Sequence, residues 1–139
     1  MAALKTAISW FSYLFHFLLA LLLLGLTGIA LASGPGSLHL EMLPWSGPTL
    51  LYILLGGALF DFLSVVLAAT GRVRFLFLLW SLAVAVFLTK AYVFSGYRFA
   101  PGEWRRTVYF IAAAWLAVAG AWFQLRGRAD RGPRKYRLK

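Results

Sequence analysis

The fold of this chain is decided by the stretch TLLYILLGGALFDFLSVVLAAT, residues 49–70. It is apolar over about twenty residues, the length that an α-helix needs to cross a hydrocarbon core ~30 Å thick. Its only charged residue is Asp61. Because charged side chains inside a bilayer are rare, costly and usually functional, Asp61 marks a candidate site.

The rest of the chain has the composition of an integral membrane protein. Of its 139 residues, 62% are hydrophobic and 13% are charged, whereas soluble domains are about half apolar and about a quarter charged. Further apolar runs lie at residues 6–31, 75–95 and 108–125. We therefore predict an all-α antiparallel bundle of four transmembrane helices over residues 1–125, followed by a basic cytoplasmic tail at 126–139. The first run is longer than the core of a signal peptide, about 7–15 residues, so we predict a retained span.

The net charge of +10 reflects where the basic residues lie rather than an affinity for nucleic acid. Ten of the 14 lysines and arginines fall on one side of the predicted bundle. Short loops rich in these residues stay in the cytoplasm, so both termini are predicted to be cytoplasmic, in a plasma (inner) membrane. The tail is expected to contact anionic lipid or an acidic partner. Its basic residues are Arg126, Arg128, Arg131, Arg134, Lys135, Arg137 and Lys139.

His16 is the predicted companion of Asp61. It lies about 15 Å from the inner end of the first run, and Asp61 lies about 14 Å from the inner end of the second, at 1.5 Å per residue. A carboxylate and an imidazole at one depth would offset each other's cost of burial. The pair is predicted to hold helices in register, to relay protons or bind a ligand, or to face a partner protein.

Three further polar residues extend this candidate site. Helical periodicity places Ser12 on the His16 face of its helix and Ser64 on the Asp61 face. Lys90, near the outer end of the third run, has three interpretations. Its side chain reaches the outer headgroups, pairs with Asp61, or binds a phosphate or a quinone headgroup.

Small residues indicate where helices approach each other, because they let helix backbones come close in membranes. The candidates are Gly57, Ala113, Ala117, Gly120 and Ala121. Those in the last run pack either inside the bundle or against another subunit. Trp80 is assigned to an aromatic belt at the inner membrane boundary. The apolar segment 38–45 is expected to lie in the outer interface or against a partner.

This outline of four short apolar helices resembles two families of small membrane proteins, the DoxX-like group and the small multidrug-resistance exporters. The resemblance is one of architecture. The DoxX-like group implies an association with redox partners. The exporters imply a dimer with an intramembrane carboxylate in the first helix, where this chain has His16.

The function predicted from these observations is largely structural. The chain has no cysteine, and it offers no evident nucleophile constellation, metal-ligand set or phosphate loop, so we predict that it is not an enzyme. The leading prediction is a non-catalytic accessory or structural subunit of a larger membrane complex, with other membrane subunits or copies of itself as partners. One alternative is a proton-coupled small transporter or channel that works as an oligomer through Asp61 and His16. Another is a quinone-contacting redox component. No resident cofactor is predicted, and a quinone or a haem shared with another chain stays open.

Overall fold

The computed structural model describes residues 1–34, 36, 38–41 and 43–129, and these form four helices. Helix α1 is Ala2–Ser33, α2 is Gly47–Ala69, α3 is Arg74–Val93 and α4 is Glu103–Ala129. Each helix is long and apolar enough to cross a membrane. The described ranges contain no β-strand, although His39 and Ser46 form an isolated bridge that closes the α1–α2 linker. The prediction of an all-helical chain with four such helices is therefore confirmed.

The helix bounds differ from the predicted spans. Helices α1 and α4 extend beyond them at both ends, whereas α2 and α3 begin one or two residues earlier and also end one or two residues earlier than predicted. The largest difference is in α4. The predicted start at 108 is wrong, because α4 begins at Glu103. The Glu103 carboxylate accepts a hydrogen bond from the Ala100 N–H at 2.9 Å, and the Glu103 N–H donates to the Ala100 carbonyl at 3.0 Å. This reciprocal cap, with an acid in the first turn of the helix, starts α4 within a stretch that hydropathy assigned to a loop. The predicted end at 125 is also wrong, because α4 continues to Ala129.

The connection between α2 and α3 is a short turn built on Gly71. The Arg72 N–H donates to the Leu67 carbonyl at 3.2 Å and the Gly71 N–H donates to the Ala68 carbonyl at 3.0 Å, which is the bond pattern of a Schellman cap. Gly71 has a φ of 78°, a conformation that side chains with a Cβ atom rarely adopt. This glycine therefore ends α2 and allows α3 to begin at Arg74.

Helix α1 packs against α2 and α4, and α3 packs against α4 and, less extensively, against α2. The core between them is rich in small side chains, which lets the helices approach closely. Its two clusters consist of Phe15, Leu19, Ala85, Ala114 and Ala117, and of Ala68, Phe77 and Ala121. Many large apolar side chains instead point outward, among them Trp10, Tyr52 and Tyr109. A helix that is apolar on its outer face as well as its inner face is typical of a membrane span.

Candidate functional site

The candidate site is a buried contact between His16 of α1 and Asp61 of α2. His16 Nδ1 lies 2.7 Å from Asp61 Oδ1, and each side chain is 1% exposed. Within the described ranges, no other acidic and basic side chains come within 4.0 Å of each other. The structure therefore brings together the two residues that the sequence placed at one depth.

Trp80 of α3 is a second partner of Asp61. Its Nε1–H donates to Asp61 Oδ1 at 2.7 Å, and the indole ring can only donate, so Oδ1 must be an acceptor here. The other carboxyl oxygen, Oδ2, is buried and has no hydrogen-bond partner. Asp61 thus has one oxygen approached by two nitrogens and one approached by no donor. The assignment of Trp80 to a headgroup belt is wrong for the polar end of its ring, which is turned into the bundle.

Ser81, the next residue of α3, completes the site from the far side of the imidazole. Its Oγ lies 2.7 Å from His16 Nε2, and the residue is 1% exposed. If Nδ1 carries the proton of a neutral imidazole, Nε2 accepts from the Ser81 hydroxyl. In the imidazolium form, Nε2–H donates to Ser81 Oγ instead. Both ring nitrogens of His16 are occupied, so a metal or a haem iron would reach Nε2 only by displacing Ser81.

Aromatic rings fix the orientation of the imidazole and the indole. The His16 ring meets Phe77 edge-on with centroids 5.1 Å apart, and it meets Phe15 edge-on at 5.5 Å. Phe60 packs against the Trp80 ring at 4.5 Å. Such edge contacts are favourable because the positive rim of one ring faces the negative face of the other. The polar groups are therefore enclosed by packed rings as well as by helix backbones.

The inward stripes of the helices explain how these residues meet. On α3 the buried positions recur every fourth residue at Phe77, Ser81 and Ala85, and on α2 Asp61 and Ser64 lie on one buried stripe. Ser81 was not predicted as a site residue, although its position four residues before Ala85 places this small polar side chain on the same buried stripe. Trp80 is adjacent to that stripe, and its side chain is long enough to reach Asp61.

The other predicted site residues lie apart from this network. Ser12 is buried but donates to the Ala117 carbonyl of α4 at 2.7 Å, and Ser64 donates to the Phe60 carbonyl of its own helix at 2.8 Å. Lys90 is exposed and lines a separate cleft near the end of α3. The ion pair with Asp61 that its length allowed is absent from the described contacts.

The predicted small residues lie at contacts within the bundle. A Cβ atom added to Gly120 would overlap the Ile8 carbonyl and lie 2.7 Å from Ser12 Cβ, so α1 and α4 touch at this point. Ala117 and Ala121 are buried, Ala113 packs beside the first core cluster, and Gly57 faces Leu23 of α1. Gly120, Ala117 and Ala121 thus pack inside the bundle, and packing of the last run against another subunit stays a prediction.

A second polar cluster joins the N-terminal part of α1 to α4 and α3. Gln124 Nε2 donates to the Ser9 carbonyl at 2.9 Å, and an Arg74 guanidinium nitrogen donates to the Gln124 carbonyl at 3.2 Å. Arg74 Nε and Gln124 Oε1 are buried without hydrogen-bond partners. Arg74 is one of the ten basic residues that the sequence places on the predicted cytoplasmic side, but the sequence gives no signal for its contact with the main-chain carbonyl of Gln124.

The basic tail is described only at its start. The Arg126 guanidinium lies 5.1 Å from the centre of the Trp122 ring, a cation–π contact. Arg128 lies within α4 by its backbone. The remaining predicted contacts, Arg131, Arg134, Lys135, Arg137 and Lys139, are outside the described residues.

The order Ser81, His16, Asp61 has the connectivity of a serine–histidine–carboxylate triad. The expectation that the chain lacks such a constellation missed it, because a triad is recognised by geometry and not by sequence position. A catalytic serine, however, must meet a substrate beside donors that stabilise an oxyanion. Ser81 is buried between helices whose backbone N–H groups are used within the helices. In this conformation the chain of contacts can pass a proton or lock helices together, but it offers no surface to an acyl group.

Comparison of the chain with protein-family models, curated proteins and solved structures finds no match. The architectural resemblances therefore add no site residues to those that the structure brings together.

Proposed function

We propose that this chain is an integral membrane protein, an antiparallel four-helix bundle that serves as a non-catalytic accessory or structural subunit of a larger membrane complex. The opposite order of contacts along α1 and α4 supports the antiparallel arrangement: Ser9 meets Gly120, Ser12 meets Ala117 and Phe15 meets Phe110. The excess of basic residues on one side supports cytoplasmic termini in a plasma (inner) membrane.

The observation that carries this proposal is the enclosure of the polar site. The polar groups of this site, His16, Asp61 and Ser81, are at most 1% exposed and are directed at one another. The large exposed side chains around them are apolar. Such an arrangement fits a role in holding three helices together, and it presents the outside of the bundle, rather than its interior, to other molecules.

Purification from native membranes in a mild detergent, followed by mass spectrometry, tests the proposal. We expect larger membrane proteins to co-purify with the tagged chain in fixed proportion. Gly28→Ala is the matched control, because a Cβ atom there meets nothing within 4 Å and the partners should be retained. Gly120→Ala, which disturbs the α1–α4 contact, should lose them. A pure, monodisperse homo-oligomer would overturn the proposal.

A second candidate, a proton-coupled transporter or channel, is favoured by one specific observation. Ser81, His16 and Asp61 form an unbroken series of 2.7 Å contacts, and Asp61 Oδ2 still has a vacant acceptor position. Protons could pass along such a series by tautomer exchange in the imidazole.

Proteoliposomes with a trapped pH-sensitive dye and an imposed potential test this candidate. Asp61→Asn should abolish proton flux while far-ultraviolet circular dichroism shows intact helices. Ser64→Ala should leave the flux unchanged, because the Ser64 hydroxyl bonds only within its own helix. Equal flux through Asp61→Asn and the wild type would exclude a proton role for the site.

A further inference from the structure

A cleft of about 270 Å³ lies between the α1–α2 linker and the last turns of α3. Leu43, Pro44 and Trp45 line it from the linker, and Phe87, Lys90 and Phe94 are among the residues that line it from α3 and its end. Among the described residues of the wall, Ser95 has the only hydroxyl, and it donates to the Ala91 carbonyl. The cleft is therefore an apolar surface with a single cation.

Lys90 has no partner within the described residues. Its ammonium group makes no described hydrogen bond or ion pair, and the side chain is exposed. Asp61 is engaged by His16 and Trp80. Glu103, at the start of α4, is engaged by Tyr97 and the Ala100 N–H and forms no ion pair with Lys90. The carbonyl end of α3 favours a cation at this position, but that effect accounts for neither the apolar wall nor the missing counter-charge.

We propose that this cleft binds an anionic phospholipid of the surrounding bilayer, with the phosphate at Lys90 and the first part of an acyl chain against Phe87 and Phe94. An ammonium group is a compact point charge that suits a phosphate. Phe94 is 78% exposed, which is costly in water but suits contact with a chain. A free inorganic anion would leave the apolar wall uncovered, whereas a lipid without net charge would leave the charge of Lys90 unbalanced.

The size and position of the cleft agree with this ligand. Sites for whole small molecules are about 300–1,000 Å³, so this cleft would hold only the part of a lipid where the headgroup meets the chains. Trp45, on the opposite wall, is an amphipathic ring of the kind that lies at the same level in a bilayer. Trp45 is also a fluorescent reporter inside the proposed site.

Quenching of Trp45 by brominated lipid tests the proposal. The full chain is reconstituted in phosphatidylcholine vesicles that contain either brominated phosphatidylglycerol or brominated phosphatidylcholine, and the Trp45 signal is taken as the difference from Trp45→Phe. We expect phosphatidylglycerol to be preferred about fivefold, because one basic residue near anionic lipid contributes about 1 kcal/mol. Lys90→Gln should reduce the preference to near unity, and Lys90→Arg should restore most of it.

Arg105→Gln is the matched control, because Arg105 is an exposed cation that does not line the cleft. It should keep the fivefold preference. If Lys90→Gln keeps the preference, or if Arg105→Gln loses as much of it, the attraction is not specific to the cleft and the proposal is wrong. Far-ultraviolet circular dichroism on each variant ensures that the compared proteins are equally helical.

Discussion

Replacing Asp61 with Leu should destabilise the bundle by about 1–3 kcal/mol, and the reason lies in the two nitrogens that share Oδ1. His16 Nδ1 and Trp80 Nε1 each lie 2.7 Å from that oxygen, so the substitution leaves both nitrogens without a hydrogen-bond partner. In the core of a soluble protein, each buried donor without a partner would lower the free energy of unfolding by about 1–3 kcal/mol. Interhelical hydrogen bonds in membranes average only about 0.6 kcal/mol and reach about 1.7, because separated helices find other partners in the membrane. Two interhelical hydrogen bonds at these membrane values give the expected loss of about 1–3 kcal/mol.

The same reasoning predicts how His16→Leu and Asp61→Leu combine. Each single substitution leaves a polar partner buried, whereas the double substitution removes the pair and fills its space with apolar atoms. The loss for the double variant should therefore be smaller than the sum of the single losses, by about 1 kcal/mol.

Reversible unfolding by sodium dodecyl sulfate in mixed micelles, followed by circular dichroism, measures these free energies. Ser64→Ala is the control and should change stability by less than about 0.5 kcal/mol, because that hydroxyl makes no bond between helices. Strict additivity of the two single losses, or an Asp61→Leu protein as stable as the wild type, would refute the idea that the contact holds α1 to α2.

Three further predictions concern other contacts. Gly120→Ala should cost about 1–3 kcal/mol in the same unfolding assay, because the new Cβ atom overlaps the α1 backbone; Gly28→Ala, in open space, should cost nothing, and equal losses would contradict the close approach. Ser81→Ala should remove the partner of His16 Nε2; in a His39→Gln background the ¹⁵N shift of that nitrogen should move, and an unchanged shift would show that the bond does not form. Tyr97 donates to Glu103 Oε1 at 2.8 Å, and this hydrogen bond raises the pKa of the Tyr97 phenol. Because the folded-state pKa is raised, the bond persists below the ordinary value of about 10 and is lost as the pH rises through the raised pKa. Glu103→Gln should lower the pKa of Tyr97, read from tyrosinate absorbance against Tyr97→Phe, and an unchanged pKa would contradict this cause.

The number of helices and the pairing of His16 with Asp61 followed from the sequence for a simple reason. Length and hydropathy define a helix that can span a membrane, and a fixed rise per residue converts sequence position into depth. The two residues came together because they occupy equal depths on neighbouring helices, which needs no knowledge of the packing angle.

The remaining partners depend on packing, which one-dimensional reasoning does not supply. Ser81 and Trp80 are consecutive, yet Ser81 contacts His16 and Trp80 contacts Asp61. Both contacts are possible because the long Trp80 side chain reaches Asp61 from a position beside the buried stripe of α3. The contact between Arg74 and Gln124 likewise needs the end of α4 to lie beside the start of α3. The start of α4 was missed for a local reason, since its first turn is stabilised by a cap from Glu103 and not by hydropathy.

The close approach at Gly120 also bears on how the protein is made. The first and last helices meet there, so that seam cannot form until the ribosome has synthesised α4. Until then the Ser12 hydroxyl and the Ser9 carbonyl lack their partners on α4 and must find temporary ones. The contacts of His16 need only α1, α2 and α3, and the ribosome synthesises these three helices before α4. During biogenesis the contacts of His16 with Asp61 and Ser81 can therefore form first, and the contact between α1 and α4 at Gly120 forms last.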